Sequence, residues 1–118
     1  MTAVGDNAHF FAQPQRRTEL AAALAALGPL RTVEHPALPE PLLVIVPEGG
    51  GSLSVEFRPD APDSDTPRLG AWLELRAENP AELFAALLRS GFTAVEHPAH
   101  EHYVMAPGGQ VFALAAAG

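Results

Sequence analysis

The sequence predicts an α+β fold of two tandem βαβββ modules. Three observations predict it. The run Val33-Glu34-His35-Pro36-Ala37 returns intact as Val95-Glu96-His97-Pro98-Ala99, sixty-two positions on in a chain of 118 residues. A solenoid period would be shorter and recur more often. Glu19-Leu20 and Gly28 recur as Glu82-Leu83 and Gly91, sixty-three positions on. Each copy also carries one helical pattern followed by three extended segments. The chain therefore reads as a single domain over 1–118, with module one at about 7–59, a linker at 60–68 and module two at about 69–117.

Taken in order, Ala8–Ala12 is a short apolar strand. Leu20, Leu24 and Leu27 then fall at i, i+4 and i+7, one face of a helix over Thr18–Leu27. Thr18 is its expected N-cap, and Gly28-Pro29 ends it. Strands follow near Leu30–His35, Leu42–Val46 and Ser52–Phe57, the last two joined through Glu48-Gly49-Gly50-Gly51. Asp60–Pro67 is polar and proline-rich, as a linker should be. Ala71–Arg76 alternates like a half-buried strand. Asn79-Pro80 supplies an N-cap and a first helical residue, Leu83, Phe84, Leu87 and Leu88 form an apolar face, and Gly91 closes the helix. The last strands lie near Thr93–His97, His102–Ala106 and Gln110–Ala115, the final pair turned by Pro107-Gly108-Gly109.

Composition removes several classes of function. Seven Arg, no Lys and fourteen acidic residues leave a net charge of −7, without the clustered positive charge that nucleic acid or an anionic membrane requires. The absence of Cys excludes disulfides, thiolate nucleophiles and sulfur-ligated metals; the absence of Lys excludes a Schiff base on a side-chain amine. Met1–Asp6 lacks the basic and apolar regions of a signal peptide, and Leu20–Leu30 is too short to span a bilayer, so a cytoplasmic location is expected. Usage of Ala, Pro, Gly and Arg points to a GC-rich bacterial genome. The glycine runs are hairpin turns, because neither opens a helix nor precedes a lysine. No Ser-His-Asp spacing stands out.

The paired modules, the run Ser52-Leu-Ser-Val-Glu56-Phe57 and the closing Ala106-Pro-Gly-Gly-Gln110-Val-Phe112 resemble the vicinal oxygen chelate superfamily. That family includes glyoxalase I, extradiol dioxygenases and bleomycin-binding proteins. The resemblance runs from about Ala8 to Ala116. It implies strands that curl as a mixed sheet in each module around a cup lined by both, with metal ligands, where present, on the first and fourth strand of each. Glu56 stands at the fourth-strand position of module one. The other three positions fall on Asn7, with His9 two residues on, Gly70 and Ala113, of which none carries a strong ligand.

Alternation within strands then sorts the cup. Asn7, His9, Phe11, Ser54 and Glu56 are expected to face inward from module one, and Trp72, Glu74 and Val111 from module two. His102, in the cluster His97-x-x-His100-x-His102, is expected to border the same cup. Leu53, Val55, Phe57, Leu73, Leu75, Phe112 and Leu114 are expected beneath the helices. Trp72, with Phe11, offers a stacking surface, and Glu56 and Glu74 add negative charge, a combination suited to an aromatic or cationic guest. Glu56 and Glu74 are also a candidate general acid–base pair, provided desolvation raises one of them towards neutrality.

The expected function is small-molecule binding like that of bleomycin-resistance proteins, without a catalytic metal and in a homodimer. The alternative is a metal-dependent lyase, isomerase or dioxygenase of the glyoxalase type, holding iron, manganese or zinc on His9 and Glu56. Whether the chain is an enzyme stays open between the two.

Overall fold

Proline and glycine punctuate the chain where the elements change direction. In the computed structural model, which describes residues 1–117, module one runs β1 (Asn7–Ala12), a 3₁₀ turn at Pro14–Arg16, α1 (Arg17–Leu24), a second 3₁₀ turn at Ala25–Leu27, β2 (Leu30–Val33), β3 (Leu42–Ile45) and β4 (Ser52–Phe57). Module two runs β5 (Trp72–Ala77), α2 (Pro80–Ser90), β6 (Thr93–His97), β7 (His100–Met105) and β8 (Val111–Ala116). Asn79 caps α2 by accepting from the Glu82 amide at 3.1 Å, and Gly91 closes it at φ +125°. Thr18 does not cap α1. Pro14, with its φ already set for a helical turn, starts the coil four residues earlier and leaves Thr18 inside α1.

The strands form two four-stranded mixed sheets, one per module as expected, ordered β1-β4-β3-β2 and β5-β8-β7-β6. The first and fourth strands of each module are parallel neighbours. Asn7 pairs with Ser52 and His9 with Ser54 in module one; Trp72 pairs with Val111 and Glu74 with Ala113 in module two. The two frames are therefore superposable residue by residue. They also correct the constant offset of sixty-three: the residue equivalent to Asn7 is Trp72, and Gly70 lies before β5 begins.

Alternation sorts the faces as expected. Leu53, Val55 and Phe57 are buried on β4 while Ser52, Ser54 and Glu56 point the other way. Leu20, Ala23 and Leu24 of α1 and Leu87 of α2 are buried in the same core. One core serves both modules. Phe112 of β8 meets Phe10 of β1 edge-on at 5.7 Å and Phe92 at 5.8 Å. The Ser90 hydroxyl at the end of α2 donates to the Ala23 carbonyl of α1 at 2.8 Å. Each buried Phe contributes about 1.5–3 kcal/mol in apolar area alone, so neither module keeps its core without the other.

The segment between the modules is docked. The Ser64 and Arg68 amides donate to the carbonyls of Gly108 and Gly109 at 3.2 and 2.9 Å. Arg16 forks onto Asp63 at 2.8 and 3.1 Å and reaches Asp65 at 3.1 Å. Gly109 sits at φ +100° with the Thr66 carbonyl 2.9 Å from where a Cβ would stand, so the turn and the linker fit only with glycine there.

The repeated pentapeptide has a mechanical reason. Nδ1 of His35 accepts from the Ala37 amide at 3.0 Å, and Nδ1 of His97 accepts from the Ala99 amide at 3.0 Å. In each copy the imidazole satisfies a turn amide that no ladder reaches, as an Asn or Asp would in an Asx-turn.

Candidate functional site

Module one presents a chain of polar side chains on its open face. Because His9 of β1 pairs with Ser54 of β4, and the i+2 residue of a strand shares its face, Ser54 and Glu56 flank one imidazole. His9 Nδ1 lies 2.7 Å from the Ser54 hydroxyl, and Nε2 lies 3.1 Å from Glu56 Oε1. The Arg58 guanidinium reaches the other Glu56 oxygen at 3.5 Å and binds Asp60 at 2.9 and 3.1 Å. Arg58 holds the Asp60 carboxyl below the usual carboxylate range, and Asp60, ahead of Glu56, raises Arg58 in return. Asn7 belongs to the same row: its Oδ1 accepts from Ser52 Oγ at 2.6 Å. Phe11 stands edge-on to His9 at 5.3 Å and is exposed.

Module two presents rings in place of this network. Trp72 is 56% exposed and lies 5.9 Å from the buried Tyr103 ring. Tyr103 in turn stacks on His100 at 4.8 Å and tilts against His97 at 4.7 Å. Met105, Val111 and Ala113 pack around Tyr103 on the same face. The Tyr103 hydroxyl is buried with no hydrogen-bond partner among the described residues. Glu74, exposed, is 3.7 Å from Arg76.

Seven expected cup residues of β1, β4 and β5, together with Val111 of β8, thus lie on the open faces, divided between two sheets. His102 does not join them. β7 begins at His100, so His102 shares the parity of the core residue Val104 and lies 5.2 Å from Phe84 of α2. His97 and His100 come together, their rings 4.9 Å apart, and His102 turns away from them. Glu56 and Glu74 do not bond to each other; each has an arginine of its own. One groove is lined by Phe84, Val95, His97, Pro98, His100 and Glu101 at the β6–β7 hairpin. A second lies beside Phe11, Arg58 and Pro62. Tyr103 and the Ser54–His9–Glu56 contacts were missed from sequence. Carrying strand parity through the β7–β8 turn, where Tyr103 pairs with Ala113, would have found the first.

The donor set does not fit the metal centre that the resemblance implies. His9 and Glu56 are engaged with one another. The module-two residues in register with His9, Ser54 and Glu56 are Glu74, Ala113 and Ala115, which offer one side-chain donor. Among the described residues no group of three or more His, Asp or Glu side chains is disposed to hold an ion, and a stable site for a divalent transition metal usually takes three or four ligands.

Comparison with solved structures places this architecture. A member of the glyoxalase/bleomycin resistance protein/dioxygenase superfamily from Sphaerobacter thermophilus superposes over 98% of both chains, with a TM-score of 0.65 and 16% identity. The chain has the glyoxalase/bleomycin-resistance/dioxygenase fold. An antibiotic-binding protein from a Streptomyces species shares this fold across 100% of both chains, at a TM-score of 0.60 and 16% identity. A glyoxalase-related enzyme from Fulvimarina pelagi shares it over 99% of this chain and 89% of its own, at 0.62 and 14%. No family model matches the sequence, and no curated protein does. The fold thus serves binders and enzymes alike. Among the described residues no helix is long and apolar enough to cross a membrane.

Proposed function

We propose that the protein binds a planar organic molecule, aromatic or cationic, on the ring surface of module two, without a catalytic metal. One observation carries this reading: Trp72, a large apolar side chain, stands more than half exposed on a face backed by the buried Tyr103 ring. An exposed indole on a fixed support is a stacking platform, and its quadrupole favours cations. Glu74 on the same face adds negative charge, consistent with the net charge of −7. The antibiotic-binding relative in fold supports the same class of function.

In this reading the protein works in the cytoplasm as a homodimer; light scattering on the purified protein tests the assembly. The binding test uses the sole tryptophan. Titration with acridine orange, and with a neutral naphthalene derivative for comparison, should quench Trp72 emission and favour the cation. If neither compound nor a wider panel of planar guests perturbs Trp72, or if binding survives Trp72→Ala unchanged, the reading fails.

A further inference from the structure

A neutral His9 takes one arrangement of protons in its two contacts. The Glu56 carboxylate only accepts, so the hydrogen between it and His9 belongs to Nε2. That neutral imidazole has a bare lone pair at Nδ1, and the Ser54 hydroxyl 2.7 Å away donates to it in preference to the Ala8 carbonyl at 3.5 Å. Hydroxyl, imidazole and carboxylate are thus linked in series, each donor pointing down the chain, which is the relation of nucleophile, base and orienting acid in serine acyl-transfer enzymes. The ring is turned over relative to the common arrangement, with Nδ1 towards the serine, but either ring nitrogen can carry the proton. Arg58 lies against the far Glu56 oxygen at 3.5 Å.

We propose that Ser54, His9 and Glu56 form a nucleophilic site that accepts an acyl group from neutral or cationic carboxylic esters, an activity separate from guest binding on module two. The Ser54 Oγ bonds to the ester carbonyl carbon while its proton passes to His9 Nδ1. The carbon–oxygen bond to the alcohol then breaks, and the alcohol leaves with that proton. A water molecule, giving its proton to the same nitrogen, attacks the acyl-serine and releases the acid; the proton returns to Ser54. Glu56 acts as a positioning residue and stays ionised.

Exposure supports the assignment: the His9 side chain is 40% exposed, open to substrate, while that of Glu56 is 14% exposed and shielded. Phe11 supplies apolar surface beside His9. Anionic esters are disfavoured by Glu56, Asp60 and the negative net charge.

The test is acylation by p-nitrophenyl acetate, read as released nitrophenol and as an acetyl adduct by intact mass and peptide mapping. The wild-type chain should carry the adduct on Ser54, and Ser54→Ala should lose it. Glu56→Gln, isosteric and uncharged, should slow acylation by about 100-fold, with Glu56→Asp recovering part of the rate. His9→Ala should lose the rate and regain it with added imidazole. The proposal is overturned if the wild-type chain shows no Ser54 adduct. It is equally overturned if His9→Ala, checked for folding by circular dichroism, is acylated at the wild-type rate. Acetyl transfer to Ser54 needs no aromatic guest, so its failure leaves the reading of Trp72 standing, and the reverse also holds.

Discussion

The two modules share one backbone frame and put opposite chemistry on it. Position for position, Asn7, His9 and Phe11 of β1 correspond to Trp72, Glu74 and Arg76 of β5, while Ser52, Ser54 and Glu56 of β4 correspond to Val111, Ala113 and Ala115 of β8. On the core side the residues remain apolar in both copies, because both feed one hydrophobic interior. On the open side packing imposes no such demand. Module one has filled it with hydrogen-bonded polar groups, and module two with rings and small apolar residues. A duplicated fold can thus hold two different surfaces, provided the shared interior pays for both.

The largest test of that shared interior is Phe112→Ala. Removing the ring that touches Phe10 and Phe92 should cost about 3–5 kcal/mol, and both modules should melt in a single transition by circular dichroism. Two separated transitions would show that the modules are independent after all. Next comes Gly109→Ala. A Cβ at φ +100°, pressed on the Thr66 carbonyl, should cost about 1–3 kcal/mol, seen as a lowered denaturation midpoint.

The helices make a finer comparison. Asn79→Ala should cost about 1 kcal/mol, since it removes the cap of α2, whereas Thr18→Ala should stay within about 0.5 kcal/mol. Equal losses in the two denaturation curves would contradict the difference between the caps. The smallest effect concerns acid. Arg16 holds the Asp63 carboxyl below its ordinary range, so the pair stabilises the fold fully above the usual Asp value of about 3.9. That contribution is lost as pH falls through the lower folded-state value. Asp63→Asn should therefore lower stability at pH 7 by up to about 1 kcal/mol and leave it nearly unchanged in strong acid. A final measurement bears on the open face of module one. Elemental analysis of tag-free protein should find no stoichiometric iron, manganese or zinc. An ion present at one per chain and lost in Glu56→Gln would make His9 and Glu56 ligands and remove the case for Ser54.

Much of this was legible in the sequence. The pentapeptide repeat and the helix boundaries at Gly28, Asn79 and Gly91 located the modules, and alternation in Ser52–Phe57 separated core from open face. What escaped depended on distances between segments far apart in the chain. His9 and Ser54 are forty-five residues apart, and only strand pairing makes them neighbours. The histidine cluster misled for a related reason. Expected at the rim of the cup, His102 instead lies within β7, which begins at His100, on the face of Val104 and against Phe84 of α2. Thr18 looked like a cap because it precedes an apolar run, but Pro14 had already begun the turn.

The docked linker has one more consequence. Two equivalent modules on one chain could in principle be exchanged between copies, each first module pairing with the other chain's second across the same core. Such domain swapping requires the connecting segment to swing out. Here that would break the bonds from Ser64 and Arg68 to the β7–β8 turn and the fork of Arg16 onto Asp63. The latch that holds the linker in place thus also keeps each chain folded on itself.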